Sequence, residues 1–142
     1  KEYSREDFEI HTLKVLQNKK VDVIVLAGFM RILTSKFINS YKNKIINIHP
    51  SLLPSFPGAH AHRDTISYGA KISGCTVHLV DEGVDTGPII MQASLQVDEN
   101  ETEETLSQKI LPLEHELLPR ALELFCSKKL KIDGRNVSII TD

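Results

Sequence analysis

Two segments hold the residues of this chain best suited to chemistry: Asn47-Ile-His-Pro-Ser-Leu-Leu-Pro-Ser-Phe-Pro-Gly58 and Asp81-Glu-Gly-Val-Asp-Thr-Gly-Pro88. Asn47 and His49 are two residues apart, so on a strand both side chains leave the same face. An amide N–H can stabilise a developing oxyanion. An imidazole titrates near neutral pH and can carry a proton. Asp85 adds a carboxylate on a loop whose glycines, Gly83 and Gly87, let backbone approach a ligand closely. An amide, an imidazole and a carboxylate suit acyl transfer. No Ser or Cys stands in a nucleophile elbow, so a covalent acyl-enzyme is not expected.

Blander roles compete at each position. Asn47 and His49 could simply pin the proline-rich loop, and spacing alone weighs that equally with catalysis. Asp85 could be a turn aspartate satisfying its own backbone. His60 and His62 flank Ala61 at a helix start and read as cap or surface residues. His78, on a strand, reads as a core histidine or as an orienter of a neighbour. His11 and His115 fall on helices, with His11 solvated. His60, His62 and Asp85 have no recognised metal-ligand spacing, and no metal is expected.

Elements of two kinds must position these groups. Ser4-Arg-Glu-Asp7 resembles a capping box opening a helix to about Asn18, with Phe8, Thr12, Val15 and Leu16 as its inner face. Val21 to Gly28 reads as a central parallel strand, apolar on both faces in its later residues. A short helix, Ser35 to Tyr41, leads to a strand from Lys44 to His49. Three prolines stiffen the following loop, Pro50 to Gly58. A helix from about His60 to Tyr68 closes at Gly69. Strands follow at Gly74 to Val80 and Pro88 to Val97, as a possible edge pair. Asn100-Glu-Thr-Glu103 caps a long helix whose core stripe is Leu106, Ile110, Leu113, Leu117, Ala121 and Leu124. Pro112 and Pro119 should bend it. Asp133-Gly134 turns the chain into a terminal strand near Val137 to Ile140.

This alternation argues for an α/β domain with a largely parallel sheet, spanning residues 1–142 as a single unit. Ligands of such sheets bind beyond the strands' carboxyl ends, where His49 and the Asp85 loop both fall. The chain has 142 residues, 41% of them apolar, and a net charge of −2 with no basic run. Nothing points to nucleic acid or to a membrane surface. No apolar run approaches the roughly 20 residues of a membrane helix. Cys75 and Cys126 lack metal spacing and read as reduced, buried thiols in a cytoplasmic setting.

The two opening segments, in order and spacing, resemble the phosphoribosylglycinamide formyltransferases of the formyltransferase superfamily. The similarity runs from Ser4 to Phe125. Pro50, Phe56-Pro-Gly58 and Asp85-Thr-Gly-Pro88 favour that family over methionyl-tRNA formyltransferases and formyltetrahydrofolate hydrolases. The resemblance implies a Rossmann-like formyltransferase fold, helices on both faces of a mostly parallel sheet, lacking roughly its first third. That third would carry a strand and a Gly-Ser-rich phosphate loop.

By the same resemblance, the activity is transfer of the formyl group of 10-formyltetrahydrofolate, a co-substrate, to the amine of glycinamide ribonucleotide in purine biosynthesis. Asn47, His49 and Asp85 match the catalytic set. Met30, Arg31, Ile32 and Leu33, the loop Asp81, Glu82, Gly83, Val84 and Asp85, and Arg5 match folate-binding positions, with Asn47 shared. Leu111, Pro112, Leu113 and Glu114 match the ribonucleotide contact, where Leu111-Pro112 replaces residues often polar in relatives. A monomer or homodimer is expected. Two other readings remain: a formyltetrahydrofolate hydrolase, and a non-catalytic folate-binding fragment needing an N-terminal partner.

Overall fold

The computed structural model describes residues 4–141. Its order is α1 (Arg5–Asn18), β1 (Ile24–Leu26), α2 (Ser35–Ser40), β2 (Ile45–His49), α3 (Ala61–Tyr68), β3 (Ile72–Leu79), β4 (Ile89–Gln96), α4 (Glu103–Cys126), β5 (Leu130–Asp133) and β6 (Asn136–Ile139). The strands form one sheet ordered β1-β2-β3-β4-β6-β5.

The α/β class and the helices on both faces hold, but the sheet is mixed. β1–β2 and β4–β6 are parallel, whereas β2–β3, β3–β4 and β5–β6 are antiparallel. The cause lies in the connections. The proline-rich loop and α3 return the chain beside β2 in the opposite direction. The nine-residue Val80–Pro88 connection then turns β3 directly onto β4.

β2 anchors the sheet because it is buried on both faces. Ile46 and Ile48 join a core with Val77, Leu79, Ile90 and the α4 residues Leu106, Ile110, Leu117 and Ala121. Ile45, one residue out of phase, joins a second core with Leu13 of α1, Leu33, and Phe37 and Ile38 of α2. Alternation along one strand thus divides its side chains between two helical layers.

Several local expectations change. The Val21–Gly28 strand shrinks to three residues, with Val25 half-exposed, because it borders a single strand among the described residues. The inner face of α1 is Glu9, Leu13 and Leu16, and Val15 faces solvent. Glu9 is drawn inward by a polar partner, since its carboxylate accepts the backbone N–H of Thr34 at 2.7 Å and also the Thr34 hydroxyl. Thr34 in turn caps α2. The cap of α4 is Thr102, exchanging hydrogen bonds with Thr105. This helix continues through Pro112 and Pro119 for 24 residues. β4 is interior to the sheet, and β5 is an additional strand, forming a hairpin with β6 across Gly134-Arg135. Cys75 is buried, and its thiol is pushed up to about 11 by burial and then by Glu114. Cys126 is exposed.

Candidate active site

Strand register brings the polar groups together. Asn47 and His49 leave the same face of β2. Across the antiparallel pair, Asn47 lies opposite His78 and His49 opposite Thr76. Directly paired residues point to the same side, so four polar side chains form a compact patch. The next strand extends one row, since Thr76 lies opposite Gln92.

That row seats the proline-rich loop. The Thr76 hydroxyl donates to the Ser51 carbonyl at 2.7 Å and accepts the Leu53 N–H at 3.1 Å. Gln92 Nε2 donates to the Leu53 carbonyl at 2.9 Å. His49 Nε2 lies 2.8 Å from the Phe56 carbonyl. The Phe56 carbonyl and the Asp85 carboxylate can both only accept, and the carbonyl is the nearer, so the proton of a neutral His49 sits on Nε2. Nδ1 then faces Asp85, 3.4 Å from Oδ2, with His49 only 5% exposed.

Asp85 reaches this point on a loop held by its own side chains. Asp81 accepts the Gly83 N–H at 3.0 Å and the Thr86 hydroxyl at 2.6 Å. Arg135 donates to the Thr86 carbonyl at 2.9 Å. Gly87 passes so close to β3 that a Cβ there would lie 1.7 Å from the Leu79 carbonyl oxygen. Asp85 itself adopts φ +54. Its Oδ2 accepts the Gly58 N–H at 2.8 Å, tying the two loops together.

His78 completes the arrangement. Its Nδ1 donates to the Leu79 carbonyl at 2.9 Å, which leaves Nε2 as an acceptor in the neutral ring. Burial lowers its pKa, against smaller opposing effects of that hydrogen bond and of Asp85. Asn47 Nδ2 lies 3.3 Å from this nitrogen, donating one amide hydrogen and keeping the other free.

These groups open onto a cavity of about 930 Å³. Of the residues singled out above, Met30, Arg31, Ile32, Leu33, Asn47, His49, Asp81, Gly83, Val84, Asp85, Leu111 and Glu114 line it. Arg5, exposed in the first turn of α1, lies outside the wall, as do Glu82, Pro112 and Leu113. Helical spacing explains the last two: Leu111, Glu114, His115 and Leu118 share the cavity face of α4, while Leu113 turns to the core. Arg31 stacks 4.5 Å over the Phe8 ring, which steadies its guanidinium at the cavity edge.

Sequence reasoning did not single out Thr76, Ser51 or the Phe56 carbonyl. It also read His62 as a cap or surface residue, whereas His62 lines the cavity with its pKa lowered by burial. Burial likewise raises the pKa of Glu114. Among the described residues, no cluster of His, Cys, Asp and Glu is arranged to hold a metal ion. No described helix is long and apolar enough to cross a membrane.

Known proteins are similar to this chain in sequence and in structure. The formyl transferase family model matches residues 2–122. The trifunctional purine biosynthetic protein adenosine-3 of Drosophila pseudoobscura pseudoobscura is 48% identical over 128 residues, which are 90% of this chain and 9% of that protein. The phosphoribosylglycinamide formyltransferase of Bacillus subtilis (strain 168) is 47% identical over 116 residues, 82% of this chain and 60% of the relative. Glycinamide ribonucleotide transformylase 1 from Symbiobacterium toebii superposes with a TM-score of 0.94 at 46% identity, covering 97% of this chain and 65% of that structure. The chain therefore spans less than two thirds of the length of these relatives. With the matched segment running from the first helix through most of α4, the chain belongs to the formyl transferase family.

Proposed function

We propose that the protein to which residues 1–142 belong, as part of one formyltransferase domain, transfers a formyl group from 10-formyltetrahydrofolate to the amine of 5'-phosphoribosylglycinamide in purine biosynthesis. The observation that carries this reading is the convergence of Asn47, His49 and Asp85 on one wall of a 930 Å³ cavity. The similarity to phosphoribosylglycinamide formyltransferases selects the substrates.

The residues divide the work. The substrate amine attacks the formyl carbon, and negative charge develops on the formyl oxygen. The free amide hydrogen of Asn47 donates to that oxygen, and protonated His49 donates from Nδ1. The Nε2 hydrogen is committed to Phe56, so Nδ1 is the nitrogen that exchanges protons. Asp85 takes the surplus proton of the amine, and His49 returns one to the leaving folate nitrogen. The apolar wall of Met30, Ile32, Leu33 and Val84, with the Asp81–Asp85 backbone, receives the pterin ring. Arg31 and Arg5 serve the folate's acidic tail, and Glu114 the ribonucleotide. The purine-pathway relatives suggest a cytoplasmic setting, and a monomer or homodimer is the expected state.

His49→Ala and Asp85→Ala, in the complete protein, are expected to lower kcat about 100- to 1000-fold while the fold persists. Formyl transfer is followed with both substrates, and formate release is followed with the ribonucleotide left out. Near-normal transfer by either variant overturns the residue assignment. Rapid formate release by wild type without the ribonucleotide, with no transfer, makes the protein a folate hydrolase instead.

A further inference from the structure

A buried hydroxyl beneath the proline-rich loop has no part in those steps. Ser51 is 0% exposed and follows His49 by two residues. Its Oγ donates to the Ser55 carbonyl at 2.6 Å, with a longer branch of 3.2 Å to the Phe56 carbonyl. That second oxygen is the one that His49 Nε2 contacts at 2.8 Å. Ser51 and His49 are its donors among the described residues.

Phe56 holds φ +51, a left-handed backbone that an L-residue keeps only when its surroundings impose it. Beside His49 itself, three contacts hold it. The Phe56 ring meets the Tyr68 ring edge-on at 5.6 Å, but Tyr68 is 81% exposed. The Gly58 N–H is held by Asp85, two residues further on. Ser51 bonds that carbonyl directly, through its 3.2 Å branch, from a fully buried position. If that carbonyl rotated away, Nε2 would lose its acceptor and the ring proton could settle on Nδ1. A neutral ring protonated on Nδ1 has no lone pair there to accept a proton.

We propose that Ser51 is a positioning residue for His49: its hydroxyl holds the Phe56 carbonyl, which keeps the ring proton on Nε2 and presents Nδ1 to Asp85 and the reacting atoms. The kinetic consequence rests on formyl transfer being the activity; the tautomer of His49 does not.

The test compares Ser51→Ala with Ser73→Ala in the complete protein. Ser73 is a matched control, because its hydroxyl is also buried, has no hydrogen-bond partner and lies outside the catalytic cavity. Nitrogen–proton correlation spectra of the histidine rings report the tautomer directly. In wild type and Ser73→Ala, neutral His49 is expected as a single Nε2–H form. In Ser51→Ala the two tautomers mix, and kcat falls between about 10- and 100-fold with both KM values nearly unchanged. Should Ser51→Ala fail to fold, Ser51→Gly, which likewise lacks a donor, is read in the same way. A single Nε2–H form in the Ser51 variant overturns the proposal. So does a loss of kcat that Ser73→Ala matches. A wild type inactive in formyl transfer sinks the functional reading, and the spectra still decide the role of Ser51.

Discussion

A neutral imidazole at His78 gives Asn47 its direction. The Leu79 carbonyl holds its Nδ1 proton at 2.9 Å, and burial disfavours a second proton. Below the ordinary value of 6.5, an unfolded chain protonates this histidine while the folded protein resists. Stability is therefore lost as pH falls through the window from 6.5 down to the lowered pKa. Once charged, Nε2 would point a hydrogen at the Asn47 amide and end that bond. Thermal melts of wild type are expected to show Tm falling below pH 6.5, with a flatter slope for His78→Gln, which keeps an acceptor but does not titrate. Equal slopes would place the effect elsewhere. The i, i+2 spacing made Asn47 and His49 legible as a pair in the sequence. It could not choose between core and orienting roles for His78, because that depends on which residue stands across the sheet. Ser51 and the Phe56 carbonyl were illegible for a simpler reason: a backbone oxygen has no side-chain signature.

At the level of elements, the loop from Asp81 to Pro88 is fixed less by its sequence pattern than by how tightly it enters the sheet. The Leu79 N–H donates to the Pro88 carbonyl at 2.9 Å, closing the loop at its base. Gly87 lies within that closure and is buried. Gly87→Ala would drive a methyl group into the Leu79 carbonyl, and overpacking of this kind costs about 1–3 kcal/mol. We expect urea melts to record that loss, and formyl transfer to drop with it because Asp85 shifts relative to His49. Wild-type stability in this variant would show that the loop yields freely. The helices and β2, β3 and β4 were readable, since apolar periodicity and caps are local signals. β1 was overestimated, because an apolar run does not reveal that one edge goes unpaired among the described residues. β5 was missed: Leu130-Lys-Ile-Asp alternates, yet four residues ahead of a turn are too short to stand out. Antiparallel pairing was missed as well, because strand direction is set by connections and not by composition.

For the molecule as a whole, two apolar cores meet on β2, and the cavity opens where their helical layers part. Glu114 stands on α4 at that opening, where burial raises its pKa. A folded carboxyl that keeps its proton while the unfolded chain releases it loses stability as pH rises through the interval above 4.5. Glu114→Gln removes that cost. We expect a higher Tm than wild type at pH 7, together with a KM for the ribonucleotide raised about tenfold through loss of a charged hydrogen-bond partner. An unchanged KM would remove Glu114 from the ribonucleotide site. The ladder between β3 and β4 carries a further consequence. Val77 pairs with Met91 and His78 with Ile89, leaving Ile90 as an additional residue that packs into the core. This one-residue offset reverses parity partway along β4. Residues from Met91 onward keep step with the ladder, while Ile89 and the loop before it keep step with His78. The bulge therefore acts as a fixed half-twist between scaffold and site, re-aiming the residues that lead back to Asp85 by one position relative to those that pack on the scaffold.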